Sequence, residues 1–178
     1  SPAPRAADLP NGRPIAGFYG SLSDWIDVEL LAYAARELVY WDFVLVGQVE
    51  TDVSALEALP NVRLLGRREH AALPGYAQHW TASLLPFRDT AQIRACNPLK
   101  LREYLAAGSP IVSTDFPALA PYRDLIEVAP AREAFVAALR ESAVAPDRSA
   151  ERRARVAGET WEARAAEVSR ALAAISDA

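Results

Sequence analysis

The sequence predicts an α/β fold, a Rossmann-like, doubly wound, mostly parallel sheet of about six strands with a long C-terminal helix. Three observations carry this expectation. Strand and helix signals alternate along most of the chain, the order that builds parallel strands with crossover helices between them. The 178 residues, 51% of them hydrophobic, can bury one sizeable core. The run from Asn97 to Val112 joins a helix punctuated at both ends to an apolar strand, Ile111-Val112. No repeat of solenoid period occurs.

Residues 1–13 are rich in Pro and Ala with Asn11-Gly12 as a turn signal, and they read as a linker or N-terminal extension. A linker cut from something longer and a tag remnant or processed terminus both fit a chain that begins at Ser1. The first strand is expected at 14–19, ending in the turn Gly20-Ser21, and the first helix at 24–39, where Asp24 and Asp27 cap it or complement its dipole. A strand at 42–46, a helix at 53–58, a strand at 62–65 and a helix at 69–78 continue the alternation. The fourth strand, 81–86, leads through the loop 88–97 into a helix at 98–107. Here Asn97 is the candidate cap, Pro98 suits the first helical position, and Gly108 suits the left-handed C-terminal position. A strand at 110–113, a helix at 118–122, a strand at 125–128 and a helix at 132–142 complete a main domain over 14–146.

The remaining residues, 147–178, form a separate helical segment. Its stretch 147–175 spaces Ala157, Trp161, Ala165, Val168, Leu172 and Ile175 as one apolar stripe, and Gly158 marks a break or kink. Arg152, Arg153 and Arg155 near its start read as a solvated face, with contact to anionic lipid or to another domain as the alternative.

Composition excludes several classes of function. A net charge of -4 leaves no nucleic-acid footprint. The lone Cys96 cannot form an internal disulfide, and no zinc-ligand cluster or Cys-x-x-Cys pair exists, so a reducing compartment is permitted. No window approaches the roughly 20 apolar residues of a membrane span, and no signal-peptide pattern is present. A cytoplasmic protein is the expectation, with peripheral membrane contact as a second placement through the basic C-terminal segment.

Candidate chemistry collects where strand order reverses. In an open parallel sheet, ligands bind beyond the carboxyl ends of strands at that point, commonly flanked by the first and fourth strands. Gly20-Ser21 and the loop 88–97 should therefore face one crevice, with helix N–H groups available to a diphosphate and Ser21 and Lys100 as side-chain donors. Lys100 is the only lysine in the chain. Glu103, one turn on, can accept bonds from both hydroxyls of a ribose diol; the plainer alternative is an exposed Lys-Glu helix pair. For Gly20, a tight turn and close phosphate approach are both open. Tyr19-Gly20-Ser21-Leu22-Ser23-Asp24 is not a G-x-G-x-x-G fingerprint and no Walker sequence occurs, which disfavours dinucleotide binding. His70 and His79 read as ordinary surface or helix residues, and Cys96 as a packing residue.

The pattern N-P-x-K-x-x-E-Y-x-A-x-G-x-P-I-V from Asn97 to Val112 resembles the nucleotide-sugar signature in the C-terminal half of family 4 glycosyltransferases, the retaining GT-B enzymes. The resemblance runs roughly from Pro14 to Val128 and includes the Gly-Ser turn, Phe43 to Gly47, Asn61 to Gly66, and Leu85-Pro86-Phe87. It implies a donor-binding domain over 14–146, with Glu103 on the ribose, Lys100 on phosphate and the turn Gly66-Arg67-Arg68 beside the base, although surface charge is the competing reading of Arg67 and Arg68. It also exposes two departures. The family glutamate eight positions before Glu103 is Ala95 here, so Asn97 and nearby backbone take over sugar contacts or activity is weakened. The family's Arg and Lys pair after the first strand is missing, leaving Lys100 as the best phosphate cation and Arg88 or Arg94 as weaker ones.

The resemblance thus implies the donor half of an enzyme that moves a sugar from a nucleoside diphosphate sugar to a saccharide or lipid-linked acceptor. It implies an N-terminal acceptor domain as partner, no nucleic acid, no structural metal, and no cofactor beyond the nucleotide sugar as substrate. The catalytic residues themselves are not identified. The rival reading is a noncatalytic nucleotide-binding or interaction module derived from such an enzyme, motivated by Ala95 and the absent basic pair.

Overall fold

The structure is a computed structural model that describes residues 2–159 together with Ala165 and Ser169. Six strands, β1 (Ile15–Tyr19), β2 (Asp42–Val46), β3 (Val62–Gly66), β4 (Ala82–Leu85), β5 (Ile111–Thr114) and β6 (Glu127–Ala129), form one sheet in the order β3-β2-β1-β4-β5-β6. Every neighbouring pair is parallel. Strand order reverses between β1 and β4, as a doubly wound sheet requires. The inner strands β1, β2 and β4 are buried along their whole length, because crossover helices cover both faces.

Helix α1 (Val28–Glu37) starts at Asp27, whose carboxylate accepts the Leu30 N–H at 2.9 Å. It begins later than expected because Asp24 lies in a turn closed by Ile26 N–H to Ser23 O, and the Asp27 N–H is drawn to Pro86 O at 2.7 Å. Its C-terminal end is held by buried Asn61, whose side-chain amide donates to the carbonyls of Ala35, Leu38 and Trp41 at 3.0, 3.2 and 3.1 Å. Helix α2 (Ser54–Glu57) follows β2. The helix expected over 69–78 is split into a 3₁₀ turn, His70–Ala72, and the short α3 (Pro74–Ala77), since Pro74 has no N–H to continue the ladder. An additional helix, α4 (Ala91–Ala95), starts on Thr90, whose hydroxyl accepts the Ile93 N–H.

Helix α5 (Leu99–Ala107) ends on Gly108 at φ +94°, as its sequence anticipates. Its start differs. Pro98, with extended backbone angles, occupies the cap position, and the Asn97 side chain accepts a bond from Arg102 at 2.7 Å instead of capping. A 3₁₀ segment, Pro117–Tyr122, replaces the expected α-helix at 118–122, and α6 (Arg132–Ser142) has the expected bounds.

The C-terminal segment contributes α7 (Ser149–Val156), which stops in a turn at 157–158. Glycine at 158 therefore marks a break, and the stripe positions Trp161, Val168, Leu172 and Ile175 lie outside the described residues. Of the three arginines of α7, Arg153 and Arg155 are exposed, as expected, but Arg152 is not. Arg152 is buried and donates to Gly108 O at 3.1 Å and Leu125 O at 3.2 Å, while Arg153 donates to Ala107 O at 2.9 Å. Arg155 reaches Pro121 O and pairs with Asp124. A helix C-terminus offers unpaired carbonyls and negative dipole charge, and Arg152 and Arg153 complete that end of α5.

Arg152→Ala should therefore remove two charge-assisted bonds and strand buried carbonyls, lowering stability by about 2–4 kcal/mol. Denaturant unfolding should record that loss, and an unchanged midpoint would contradict the capping role.

Candidate functional site

Beyond the carboxyl ends of β1 and β2 the backbone makes a close crossing. Gly20, at φ +134°, donates its N–H to Val46 O at 2.8 Å, and a Cβ on Gly47 would lie 1.9 Å from the Gly20 carbonyl oxygen. The loops after β1 and β4 are bound to each other by the Asp27 N–H to Pro86 O bond and by Arg88 N–H to Trp25 O at 2.8 Å. Glycines and strand ends thus shape the expected crevice.

Lys100 enters this crevice from the first turn of α5. A Cβ on Gly20 would sit 2.3 Å from Lys100 Cε and 2.5 Å from Nζ, so the missing side chain at position 20 is what admits the ammonium. The Nζ also lies 5.6 Å from the centre of the Phe18 ring. No described residue accepts a hydrogen bond from it. Burial pulls its pKa below the usual lysine value, and the nearby Glu103 charge partly opposes that shift.

Glu103 is not paired with Lys100, so the helix-pair alternative is not the observed contact. Its Oε2 accepts the Tyr19 hydroxyl at 2.8 Å, and its Oε1 lies 3.2 Å from His70 Nε2. Tyr19 in turn donates its backbone N–H to the hydroxyl of fully buried Tyr104 at 3.0 Å and packs edge-on against that ring, with centroids 5.0 Å apart. Burial, followed by the charges of Tyr104 and Glu103, pushes the Tyr19 phenol well above its ordinary pKa, so it stays a donor.

Two hollows meet at Tyr19 and Leu73. One, of about 220 Å³, is lined by Gly20, Ser21, Gly47, Gln48 and Arg67. The other, of about 360 Å³, is lined by His70, Gln78, Glu103 and Ala106. The structure brings Gly20, Ser21, Arg67, Lys100 and Glu103 to one region. Arg67 is exposed at the rim, whereas Arg68 is engaged by Asp8 at 2.7 Å and by Tyr76 at 3.1 Å. Asn97 is exposed and lines neither hollow.

Other expectations sort themselves on contacts. Arg94 makes a bidentate pair with Asp89 at 2.6 and 2.7 Å, which removes it as a phosphate cation. His79 Nε2 contacts Ala3 O at 2.9 Å, a structural role. His70 is exposed, as its sequence suggested, and its ring also reaches Glu103. Cys96 is half-buried against the core, and burial raises its thiol pKa, consistent with packing. Among the described residues no cluster of three or more His, Cys, Asp or Glu could hold a metal, and no helix is long and apolar enough to cross a membrane. Tyr19 and Tyr104 were not anticipated as site residues; Tyr19 has only its adjacency to Gly20 as a signal, whereas Tyr104 is a fixed position of the Asn97 to Val112 signature.

Residues 13–143 match the family "Glycosyl transferases group 1". A Bacillus subtilis (strain 168) protein named for teichuronic acid biosynthesis, the glycosyltransferase TuaH, is 35% identical over 107 residues, which are 58% of this chain and 27% of that protein. Sucrose-phosphate synthase from Thermosynechococcus elongatus superposes with a TM-score of 0.73 at 20% identity, over 97% of this chain and 50% of that one. A UDP-forming α,α-trehalose-phosphate synthase from Burkholderia vietnamiensis gives 0.62 at 19% identity, over 81% and 40%. At such identities the structural likeness establishes the fold. The chain spans about a quarter of the curated relative and half or less of these two solved chains.

Because Lys100 is the only lysine, selective ¹³C labelling of lysine gives a single Cε signal. It should titrate below the usual 10.5, and Gly20→Ala, which expels the ammonium, should return it toward that value. A lysine with a depressed folded pKa costs stability at every pH below that pKa, and the cost fades as pH rises to the unfolded value. Lys100→Met should accordingly raise the thermal midpoint at neutral pH; a lower midpoint would contradict the desolvated, unpaired ammonium.

Proposed function

The chain belongs to the glycosyl transferases group 1 family, and from that premise we propose that residues 14–146 are the C-terminal, donor-binding domain of a retaining, family 4, GT-B glycosyltransferase. The observation that carries this reading is the Lys100 ammonium, half-buried on Gly20 without a hydrogen-bond acceptor, one helical turn from a carboxylate held by Tyr19. A cation that is partly desolvated and unpaired favours an anionic ligand.

The nucleoside diphosphate sugar lies along the two hollows. Lys100 and the Ser21 hydroxyl donate to diphosphate oxygens, Glu103 accepts the ribose hydroxyls, and Arg67 borders the base. As the glycosidic bond to the diphosphate breaks, negative charge grows on the departing oxygen, and a preplaced ammonium stabilises it without reorganisation. No further cofactor and no structural metal enters this scheme. Either Asn97 and nearby backbone, beyond the two hollows, serve the sugar in place of the glutamate that Ala95 replaces, or transfer is weakened. The acceptor, a saccharide or lipid-linked saccharide, is held by an N-terminal domain, and residues 147–178 pack on the donor domain or on that partner. A cytoplasmic location follows from the nucleotide-sugar donor.

Titration calorimetry with UDP, GDP and the matching nucleosides tests the donor site. The folded chain should bind at least one diphosphate, and Lys100→Ala should weaken diphosphate more than nucleoside, with a loss that shrinks in salt. Absence of binding at millimolar concentration would sink the reading, and would favour a derived module without donor binding.

Transfer itself needs both walls of the cleft, because donor and acceptor must be held together to lower the barrier. Residues 1–178 alone should give no transfer product by mass spectrometry, whereas the enzyme with its acceptor domain should. Efficient transfer by the chain alone would overturn the two-domain mechanism.

A further inference from the structure

We propose that Tyr19 and His70 are positioning residues that aim the Glu103 carboxylate and thereby set the preference for ribonucleotides over deoxyribonucleotides. The proposal rests on the reading of Glu103 as the ribose ligand. Each carboxylate oxygen of Glu103 takes one protein donor, Tyr19 Oη on Oε2 at 2.8 Å and His70 Nε2 on Oε1 at 3.2 Å. Since a carboxylate only accepts, the Nε2 of His70 carries the hydrogen in this contact. A carboxylate has about four lone-pair sites. One donor on each oxygen leaves one free site on each, the arrangement two neighbouring hydroxyls need.

A glutamate on a helix surface otherwise samples many rotamers, and fixing them on binding costs free energy. Tyr19 removes that freedom from below. Its ring cannot swing, because its N–H is bound to the Tyr104 hydroxyl and its faces and edges meet Tyr104 and Trp80 at centroid distances of 5.0 and 6.0 Å. The two residues that grip it, Glu103 and Tyr104, are consecutive on α5. His70 acts from the opposite side. It projects from the 3₁₀ turn after β3, next to the Arg67 hollow, and its side chain is 85% exposed. It therefore couples the carboxylate to the loop that borders the base.

The test is the ratio of affinities for UDP and 2′-deoxy-UDP, measured by calorimetry on the full chain and its variants. The ratio reports aim at the 2′-hydroxyl, which a purely structural role would leave unchanged. Glu103→Gln should collapse it. Tyr19→Phe, which keeps the ring and its packing, should lower it about threefold to tenfold, the worth of one hydrogen bond. His70→Ala should lower it in the same direction, and His70→Gln, which retains a donor of similar reach, should restore it. Tyr19→Phe placed on Glu103→Gln should change the ratio no further.

The outcomes separate cleanly. If Glu103→Gln collapses the ratio while Tyr19→Phe and His70→Ala leave it intact, the positioning roles are wrong and the ribose reading stands. If Glu103→Gln leaves it intact, both fall. A Tyr19→Phe effect on UDP and 2′-deoxy-UDP in equal proportion also overturns the proposal, because it marks a loss of fold or packing.

Discussion

The docking of α5 against the carboxyl end of β1 is the contact on which the site depends. Pairing between β1 and β4 covers Ala16 with Ala82 and Gly17 with Ser83, and goes no further. The sheet splays at the switch point, so the Tyr19 N–H extends past its ladder. Tyr104 supplies the missing acceptor from α5, at a separation of 85 residues in sequence. A buried N–H without a partner is costly, so this bond fixes where α5 lies relative to β1. Once it is fixed, Lys100 falls on Gly20 and Glu103 falls on the Tyr19 hydroxyl.

The opposite end of α5 is fastened by different means. Gly108 turns the chain in the left-handed region, and the carbonyls left open there are taken by Arg152 and Arg153 of α7. Glu159 then accepts from Tyr122 and pairs with Arg102, tying the end of the described chain back to α5 and to the 3₁₀ segment before β6. A helix with nine residues has little stability of its own. Its rigidity comes from being held at both ends, and a site aimed by side chains on it inherits that rigidity.

Local patterns carried most of the architecture. The α6 bounds and the glycine stop of α5 follow from periodicity and punctuation within short windows, and the alternation of strands and helices gives the parallel order, while the reversal between the first and fourth strands follows from the general rule for doubly wound sheets. A one-turn spacing at a helix start put Lys100 and Glu103 in one neighbourhood, and the signature around them, not the spacing, suggested their roles. The site contacts of Tyr19, Tyr104 and His70 were not legible, since their partners are separated by 84, 85 and 33 residues and only the packed sheet brings them together. The α7 arginines show the same limit in reverse. A charged run has one appearance in sequence whether it meets water or the carbonyl end of another helix, and here it meets the latter. Pro98 took the cap position expected of Asn97, and the asparagine oxygen took the charged donor that Arg102 offers.

Lys100 is where local rules and the fold disagree most. A core contact with the Phe18 ring and the Gly20 backbone would be better served by an apolar side chain, and burial works against the charge the lysine carries. Several exposed charges elsewhere have partners, as Arg94 does with Asp89 and Arg155 with Asp124. At Lys100 no described residue takes a hydrogen bond from the ammonium, and the glycine that makes room for it adopts a backbone angle few other residues tolerate. A fold that bears two unfavourable choices at one point, each meaningful only in the presence of the other, fits the anion site proposed above.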